Sequence, residues 1–305
     1  NLDVMDNSVR YGSMTRPVAR MILAKMYLNA EVYTGTAMWE KCIEQCDSII
    51  NGGYGYMLNP DYFTTFKKDN TSNMEIIFPI VFDQVYAKGN MFHLITLHYV
   101  HQEVYGFTTA TWNGPCTLGS FYDKYADNDL RKKQWFVGPI EKDGKVLKYS
   151  NATLETVTTI EDGTAANTFE GPRFVKFEIE PGIEHHANSD FPIYRYADVL
   201  LMKAECLMRL NGGTATGEAL ALVNEVHTRA GLPAYTTLDL DELLDERGRE
   251  FAWEAHRRQD LIRFGKFTTG MWEFMEPRST NRNIFPIPQW VLDANPGVYT
   301  QNNWK

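Results

Sequence analysis

The sequence predicts an all-α fold of tetratricopeptide-like helix pairs, forming an α-α superhelix, with a long irregular insertion that contains short strands. Apolar residues recur at helical spacing near the start of the chain and again in its last third. Between these regions the helical period is lost, and Gly, Asn, Thr and aromatic residues are scattered. The 305 residues, 44% hydrophobic and 23% charged, are sufficient for a sizeable globular core.

The first predicted helix pair covers residues 15–52. Its first helix begins near Thr15 and has Pro17 in the first turn, where a missing N–H group costs nothing. The second helix runs from about Met38 to Ile50 and ends at an Asn-Gly-Gly sequence. Two short helices joined by a tight turn are typical of tetratricopeptide repeats.

The insertion, residues 54–190, is where we expect function, because a long loop-rich segment inside a compact domain usually carries it. An apolar run at 75–82 predicts a buried strand or extended segment. Further short strands are predicted around 145–149, 154–160 and 173–180.

Helices resume in residues 191–267, for which two further pairs are predicted. Apolar spacing favours a helix over 190–211, with Ile193 on its buried face. Its predicted partner spans 217–230, and a Gly-Leu-Pro sequence follows. The residues predicted to point inward are Leu220, Val223, Asn224 and Val226.

Residues 238–264 carry the strongest helix signals and predict a helix with a shorter continuation. Asp239 is a good N-cap, and a glutamate three residues later completes a capping box. Glu246, Glu250 and Glu254 follow at intervals of four among several arginines. A glycoside hydrolase needs two carboxylates that face each other across a cleft. We therefore interpret the row as an ion-pair network, and no catalytic residue is predicted.

One domain is expected to contain all of these segments. The helix pair 15–52, the insertion 54–190 and the helix pairs 191–267 are followed by a tail, 268–305. The tail is rich in Pro and Asn, which predicts an extended segment.

Composition excludes several classes of function. A net charge of −9 argues against a nucleic-acid partner, whose phosphates require a basic surface. The sequence has no run of about 18 apolar residues, so no transmembrane helix is predicted. The sequence has no P-loop, no GxGxxG and no GxSxG motif, and no cofactor is predicted. His93, His98 and His101 lack the HExxH pattern, and no metal site is predicted.

Aromatic residues in the insertion carry the functional prediction. Trp and Tyr rings can cover the flat faces of sugars while amide or charged side chains bind the hydroxyl groups. Trp112 stands beside an amide and a flexible glycine in the sequence Trp-Asn-Gly. For each ring, packing of the loops onto the helices remains the alternative. The predicted ligand-binding residues are Trp112, Tyr105, Asn113, Tyr99 and Phe107.

Ordered motifs spanning the chain resemble those of a known family. They are YGSMTR with LAKMYL (11–28), NMEIIF (73–78), DNDLR (127–131), YRYADVLLMKAE (194–205), NEVHTRAGLP (224–233), a Glu- and Arg-rich pattern (246–263), and FPIP with QN (285–302). Together they resemble the SusD/RagB family over almost the whole chain. Two positions differ, because His227 stands where the family commonly has Arg and Ala255 where it usually has Gly.

This resemblance implies a surface-exposed outer-membrane lipoprotein of glycan-degrading Gram-negative bacteria. Such a protein binds an oligosaccharide or polysaccharide without catalysis and delivers it to a SusC-like TonB-dependent transporter. We expect the chain to be the C-terminal part of a longer protein whose N-terminal portion carries the lipid. The alternative is a helical-repeat module of a transporter complex that binds protein or peptide but no glycan.

Overall fold

A computed structural model of the chain describes residues 11–99, 101–137, 140–142, 145–147, 171–272 and 275–304. The predicted strand at 154–160 lies outside these residues. The chain divides between Glu250 and Phe251 into two compact units. Each unit is described by itself.

Helices dominate the first unit. They are α1 (Arg16–Leu28), α2 (Ala30–Thr34), α3 (Trp39–Ile50), α4 (Phe92–Thr96), α5 (His101–Tyr105), α6 (Gly119–Tyr122), α7 (Tyr196–Leu210), α8 (Gly217–Arg229) and α9 (Leu240–Glu250). Two short 3₁₀ helices, Tyr62–Phe66 and Leu130–Gln134, lie in the insertion.

Antiparallel two-stranded sheets complete the first unit. The strands are β1 (Ile76–Ile80), β2 (Trp135–Phe136), β3 (Ile140–Lys142), β4 (Lys145–Leu147), β5 (Arg173–Phe174) and β6 (Phe191–Arg195). They pair as β1 with β6, β2 with β5 and β3 with β4. The second unit contains α10 (Arg257–Arg263), a 3₁₀ helix (Thr280–Asn283) and α11 (Gln289–Ala294).

The helices of the first unit pack in a series. α1 packs against α3, α3 against α7, and α7 against α8. The two helix pairs, separated in sequence by the insertion, are therefore adjacent in space. α7 lies at the centre of the series and is buried on most sides, which its apolar sequence explains. The predicted fold class is confirmed.

The predicted helix over 190–211 is wrong at its start. Residues 191–195 form β6, and the helix begins at Tyr196. β6 pairs with β1, the strand predicted within 75–82, and Pro192 lies opposite Pro79. Both prolines lack an N–H group, and each strand of a two-stranded sheet is an edge strand, where proline is tolerated. Ile193 therefore belongs to a strand rather than to the buried face of the helix.

Two smaller differences concern neighbouring predictions. Of the strand predicted at 173–180, only Arg173–Phe174 is formed. On α8, Val223 and Val226 are buried as predicted. Leu220 is only partly buried, and Ala219 and Leu222 are buried instead.

The helix predicted through 238–264 ends at Glu250. Its start is as predicted, because the Asp239 carboxylate accepts the N–H of Glu242 at 2.9 Å. Residues 251–255 then form turns, in which Trp253 and Ala255 both have a φ of 63°. Left-handed backbone cannot continue an α-helix, so the chain leaves the helix here.

Replacing Ala255 by glycine is expected to raise the free energy of unfolding by about 0.5–1 kcal/mol. The left-handed conformation costs an L-residue roughly 1–2 kcal/mol, which exceeds the extra entropy that glycine loses on folding. Ala294→Gly, at the exposed end of α11, is the matched control and should lower stability. Urea unfolding of both variants checks this prediction, and a less stable Ala255→Gly variant would contradict it.

Candidate functional site

The structure separates the five predicted ligand-binding residues by exposure. Trp112 and Tyr99 are 48% and 56% exposed. Phe107 is only 5% exposed and packs in a hydrophobic cluster with Leu94 and Leu97. Tyr105 is half-buried against this cluster, with its ring stacked on Phe107 at 5.6 Å. Phe107 thus supports the loops from inside, while Trp112 and Tyr99 face solvent.

The backbone from Trp112 to Gly114 is attached to the C-terminal end of α4. Consecutive amide groups donate to carbonyls that the helix leaves unpaired. The bonds run from Trp112 N to Leu94 O (2.7 Å), from Asn113 N to Leu97 O (2.9 Å) and from Gly114 N to Ile95 O (2.8 Å). Residues 112–114, hereafter the anchored loop, therefore hold the Trp112 ring on a fixed backbone.

The residues of the anchored loop suit this geometry. Asn113 has a φ of 51°, a left-handed conformation that asparagine tolerates better than most residues. A Cβ atom on Gly114 would lie 2.5 Å from the carbonyl oxygen of Ile95, so only glycine fits. Arg173 secures the far side by donating to the carbonyl of Gly114 at 3.1 Å.

A second attachment connects the anchored loop to Tyr99. The Thr111 hydroxyl donates to the carbonyl of His98 at 2.7 Å. Tyr99 and Trp112 each lie one residue from this pair, so their Cα atoms are within about 15 Å of one another. The two exposed rings are thus carried by segments that are hydrogen-bonded to each other.

Tyr86 is an exposed ring that the sequence analysis did not select. It is 94% exposed. The Asp83 carboxylate accepts the N–H groups of Val85 (2.6 Å), Tyr86 (2.5 Å) and Ala87 (3.0 Å). These bonds lower the pKa of Asp83, and the bond from Tyr86 has the largest effect. An aspartate that precedes an aromatic residue by three positions is a turn signal that could have identified this ring.

Two buried histidines lie in the short helices next to the anchored loop. His93 is in α4 and His101 in α5. Burial lowers the pKa of His93 to about 4. Burial, together with His98 and Arg173, lowers that of His101 to about 3. Both rings are therefore neutral at pH 7, and the Nδ1 atom of His101 accepts the N–H of His98 at 3.0 Å.

Acid is expected to destabilise the folded chain through these two histidines. The pKa of each histidine is lower in the folded chain than its ordinary value of about 6.5, so below that pH the unfolded chain binds more protons. Between pH 7 and 5 each histidine should lower the free energy of unfolding by about 2 kcal/mol. Urea unfolding of the unaltered chain and of His93→Gln at both pH values checks this. An equal pH dependence in the two proteins would contradict it.

The carboxylates of α9 are buried within an ion-pair network. Glu246 and Glu250 are fully buried. Burial would raise the pKa of each, but the neighbouring arginines hold that of Glu250 at about 2 and that of Glu246 well below its usual value. The predicted ion-pair network is confirmed for these two residues. Glu254 lies in the turns after α9 rather than on the helix.

This network, hereafter the charge core, contains four arginines and four buried carboxylates. Arg131 binds Asp129, Glu246 and Glu250, and Arg249 binds Glu246. Arg195 and Arg229 each bind both Glu75 and Glu250. Buried carboxylates that are held ionised by arginines neither reach a substrate nor donate protons. The role of these carboxylates is therefore structural.

Among the described residues, no three His, Cys, Asp or Glu side chains are grouped so that they could hold a metal ion. In the same part of the chain, no helix has the length and apolar character needed to cross a membrane.

Comparisons with known proteins identify relatives. A sequence model described as the SusD family matches residues 21–304. The starch-binding protein SusD of Bacteroides thetaiotaomicron is 25% identical, over 97% of this chain and 61% of that protein. The chain thus spans about three fifths of that relative.

Solved structures share the fold. Surface glycan-binding protein A from Bacteroides thetaiotaomicron superposes with a TM-score of 0.75 at 24% identity, covering 99% of this chain and 66% of that one. A structure of the same protein in complex with laminarihexaose gives a TM-score of 0.74 at 23% identity, covering 99% and 67%. The order of motifs, the helix pairs and the match over residues 21–304 agree, and the chain belongs to the SusD family.

Proposed function

We propose that this chain binds an oligosaccharide at the bacterial cell surface without catalysis and delivers it to a SusC-like TonB-dependent transporter. The observation that carries the proposal is the anchored loop, which holds Trp112 exposed on an immobile backbone. A preorganised ring loses little entropy when it covers the flat face of a sugar.

The proposed binding surface centres on Trp112, with Tyr99 as its neighbour. Asn113 shapes the anchored loop, and Tyr105 and Phe107 support it from the hydrophobic cluster. Tyr86 is a further exposed ring for the same type of contact. A shallow surface of this kind binds weakly, and attachment to the outer membrane beside a transporter would raise the effective concentration.

The names of the relatives support a glycan as the ligand. One relative is a starch-binding protein, and the structure of another contains laminarihexaose. In the full-length protein, a lipid anchor at the outer membrane fits the same proposal and the family resemblance.

A panel of oligosaccharides tests the proposal. The chain should bind at least one member of a panel of α-1,4-, β-1,3- and β-1,4-linked hexasaccharides, and chromatography should recover the sugar intact. Release of shorter products would contradict the non-catalytic role. Failure to bind any glycan, with capture by the transporter intact, would favour a protein- or peptide-binding module instead.

A further inference from the structure

The C-terminal tail closes on itself through two amide side chains. Gln301 accepts the N–H of Ile287 and donates to its carbonyl, both at 2.9 Å. Asn302 donates to the carbonyl of Phe285 at 2.6 Å. Residues 285–302, hereafter the closure loop, therefore form a compact loop with joined ends, a type that is frequently functional.

The outside of the closure loop is apolar. Its exposed large side chains are Phe285 (71%), Trp290 (73%), Val298 (68%) and Tyr299 (53%). Asp293 is the one charged residue in the eighteen-residue sequence of the loop. Solvent-exposed apolar groups gathered on one small loop mark an interaction surface.

The polar groups of the closure loop serve its own structure. Gln301 and Asn302 hold its ends together. The Gln289 amide donates to Asp293 at 2.8 Å, and the Asn295 amide donates to the carbonyl of Val291 at 2.9 Å. Because these amides are already bonded, the surface offers little to sugar hydroxyls. Its occupant should be apolar.

Basic residues border this apolar surface. Arg258 lies over the Phe285 ring, 4.0 Å from its centroid, and donates to the carbonyls of Arg282 and Asn283. The side chain of Arg282, three residues before Phe285 in the sequence, is exposed. Aromatic residues at the centre, few central charges and a charged rim are typical of protein–protein interfaces. An anionic membrane is a poorer match, because the chain as a whole carries a net charge of −9.

We infer that the closure loop is a docking surface for a protein partner whose own surface is apolar with an acidic rim. Resting on the proposed function, we assign that partner to the SusC-like transporter. Three prolines, at positions 286, 288 and 296, restrict the loop, and a restricted loop loses less entropy on binding.

Capture by the cognate transporter in detergent tests this inference. The double variant Trp290→Ser, Val298→Ser should bind the transporter at least about tenfold more weakly than the unaltered chain. The matched control is Tyr33→Ser, which removes a similarly exposed ring from α2 and should leave capture unchanged. Arg282→Glu should slow association, because it reverses a rim charge. Both loop residues are exposed, so thermal unfolding and glycan binding should be unchanged in the double variant.

Each other outcome overturns the assignment. Equal capture of the double variant would contradict the docking role while leaving transporter delivery intact. No capture of the unaltered chain would contradict both, and glycan binding would then stand alone. If the unaltered chain floats with anionic phosphatidylglycerol vesicles and the double variant does not, the closure loop binds a membrane rather than a protein. If the unaltered chain elutes as a dimer in size-exclusion chromatography and the double variant as a monomer, the partner is a second copy of the chain rather than the transporter.

Discussion

Replacing Glu250 by glutamine is expected to lower the free energy of unfolding by about 3–5 kcal/mol, the usual cost of breaking a buried ion pair. The Glu250 carboxylate binds Arg131, Arg195 and Arg229 within the charge core. Glutamine keeps the shape but removes the charge, so three buried guanidinium groups share fewer anions. Urea unfolding at pH 7 measures the change.

Glu242→Gln provides the matched control. Glu242 binds Arg249 at 2.6 Å, but its side chain is 40% exposed. Surface pairs of this kind contribute about 0–1 kcal/mol, so this variant should be nearly as stable as the unaltered chain. Similar small losses in the two variants would contradict the structural role of the charge core.

The charge core also has a predictable pH dependence. The pKa of Glu250 is held at about 2 in the folded chain, below its ordinary value. Its contribution to stability is therefore complete above the unfolded pKa and is lost as the pH falls towards about 2. This loss begins at a lower pH than the loss caused by the buried histidines.

Replacing Gly114 by alanine should weaken ligand binding by about tenfold or more while leaving Trp112 in the sequence. The added Cβ would lie 2.5 Å from the carbonyl oxygen of Ile95, which now accepts the N–H of Gly114. Overpacking of this kind costs about 1–3 kcal/mol, and the anchored loop can relieve it only by detaching from α4. The ring then loses its fixed position.

Gly53→Ala separates this effect from a general loss of stability. Gly53 has a φ of 70° with open space around its Cα, so alanine there costs roughly 1–2 kcal/mol of backbone strain without a clash. Its glycan affinity should be unchanged. Equal affinity of Gly114→Ala and the unaltered chain in calorimetry would show that the anchored loop does not need its attachment to α4.

The family motifs are readable in the sequence, but their contacts are not. Five motifs separated along the chain supply members of the charge core, and Glu75 and Arg195 alone are 120 positions apart. A second group joins three motifs, because Lys25 and Arg247 both bind Asp198, at 2.9 and 3.0 Å. Periodicity identifies the helices that carry these residues. It gives no information about which charges meet.

The departure at position 227 becomes understandable from the same contacts. His227 stands where the family commonly has Arg, and its Nδ1 atom lies 3.1 Å from Glu246. The shorter ring thus contacts the carboxylate of the charge core, as a neighbouring arginine also does. The substitution retains a polar partner for Glu246.

Long helices were predictable because their apolar period extends over several turns, whereas local exceptions were not. β6 is formed because β1 lies beside it, a long-range contact that overrides the helical spacing of 190–211. The break after Glu250 depends on left-handed residues that are not glycine. Neither feature produces a periodic pattern of apolar residues from which it could be predicted.

In the candidate site, the sequence indicated which residues could contact a ligand but not which are accessible. Trp112 and Phe107 lie only five positions apart in the insertion, yet only Trp112 is exposed. The difference arises from α4, a helix of five residues, too short to show a period. The attachment of the anchored loop to α4 therefore required the structure.

Isothermal titration of the unaltered chain and of Trp112→Ala, with the oligosaccharide that binds best in the panel, tests the proposed function most directly. Trp112→Ala should bind about tenfold more weakly or worse, as expected for the loss of an aromatic anchor. Its fold should be retained, because about half of the surface of Trp112 is already exposed. Trp290→Ala, which removes an equally large exposed ring from the closure loop, should bind the sugar as the unaltered chain does. Unchanged affinity in Trp112→Ala would contradict glycan capture by the anchored loop.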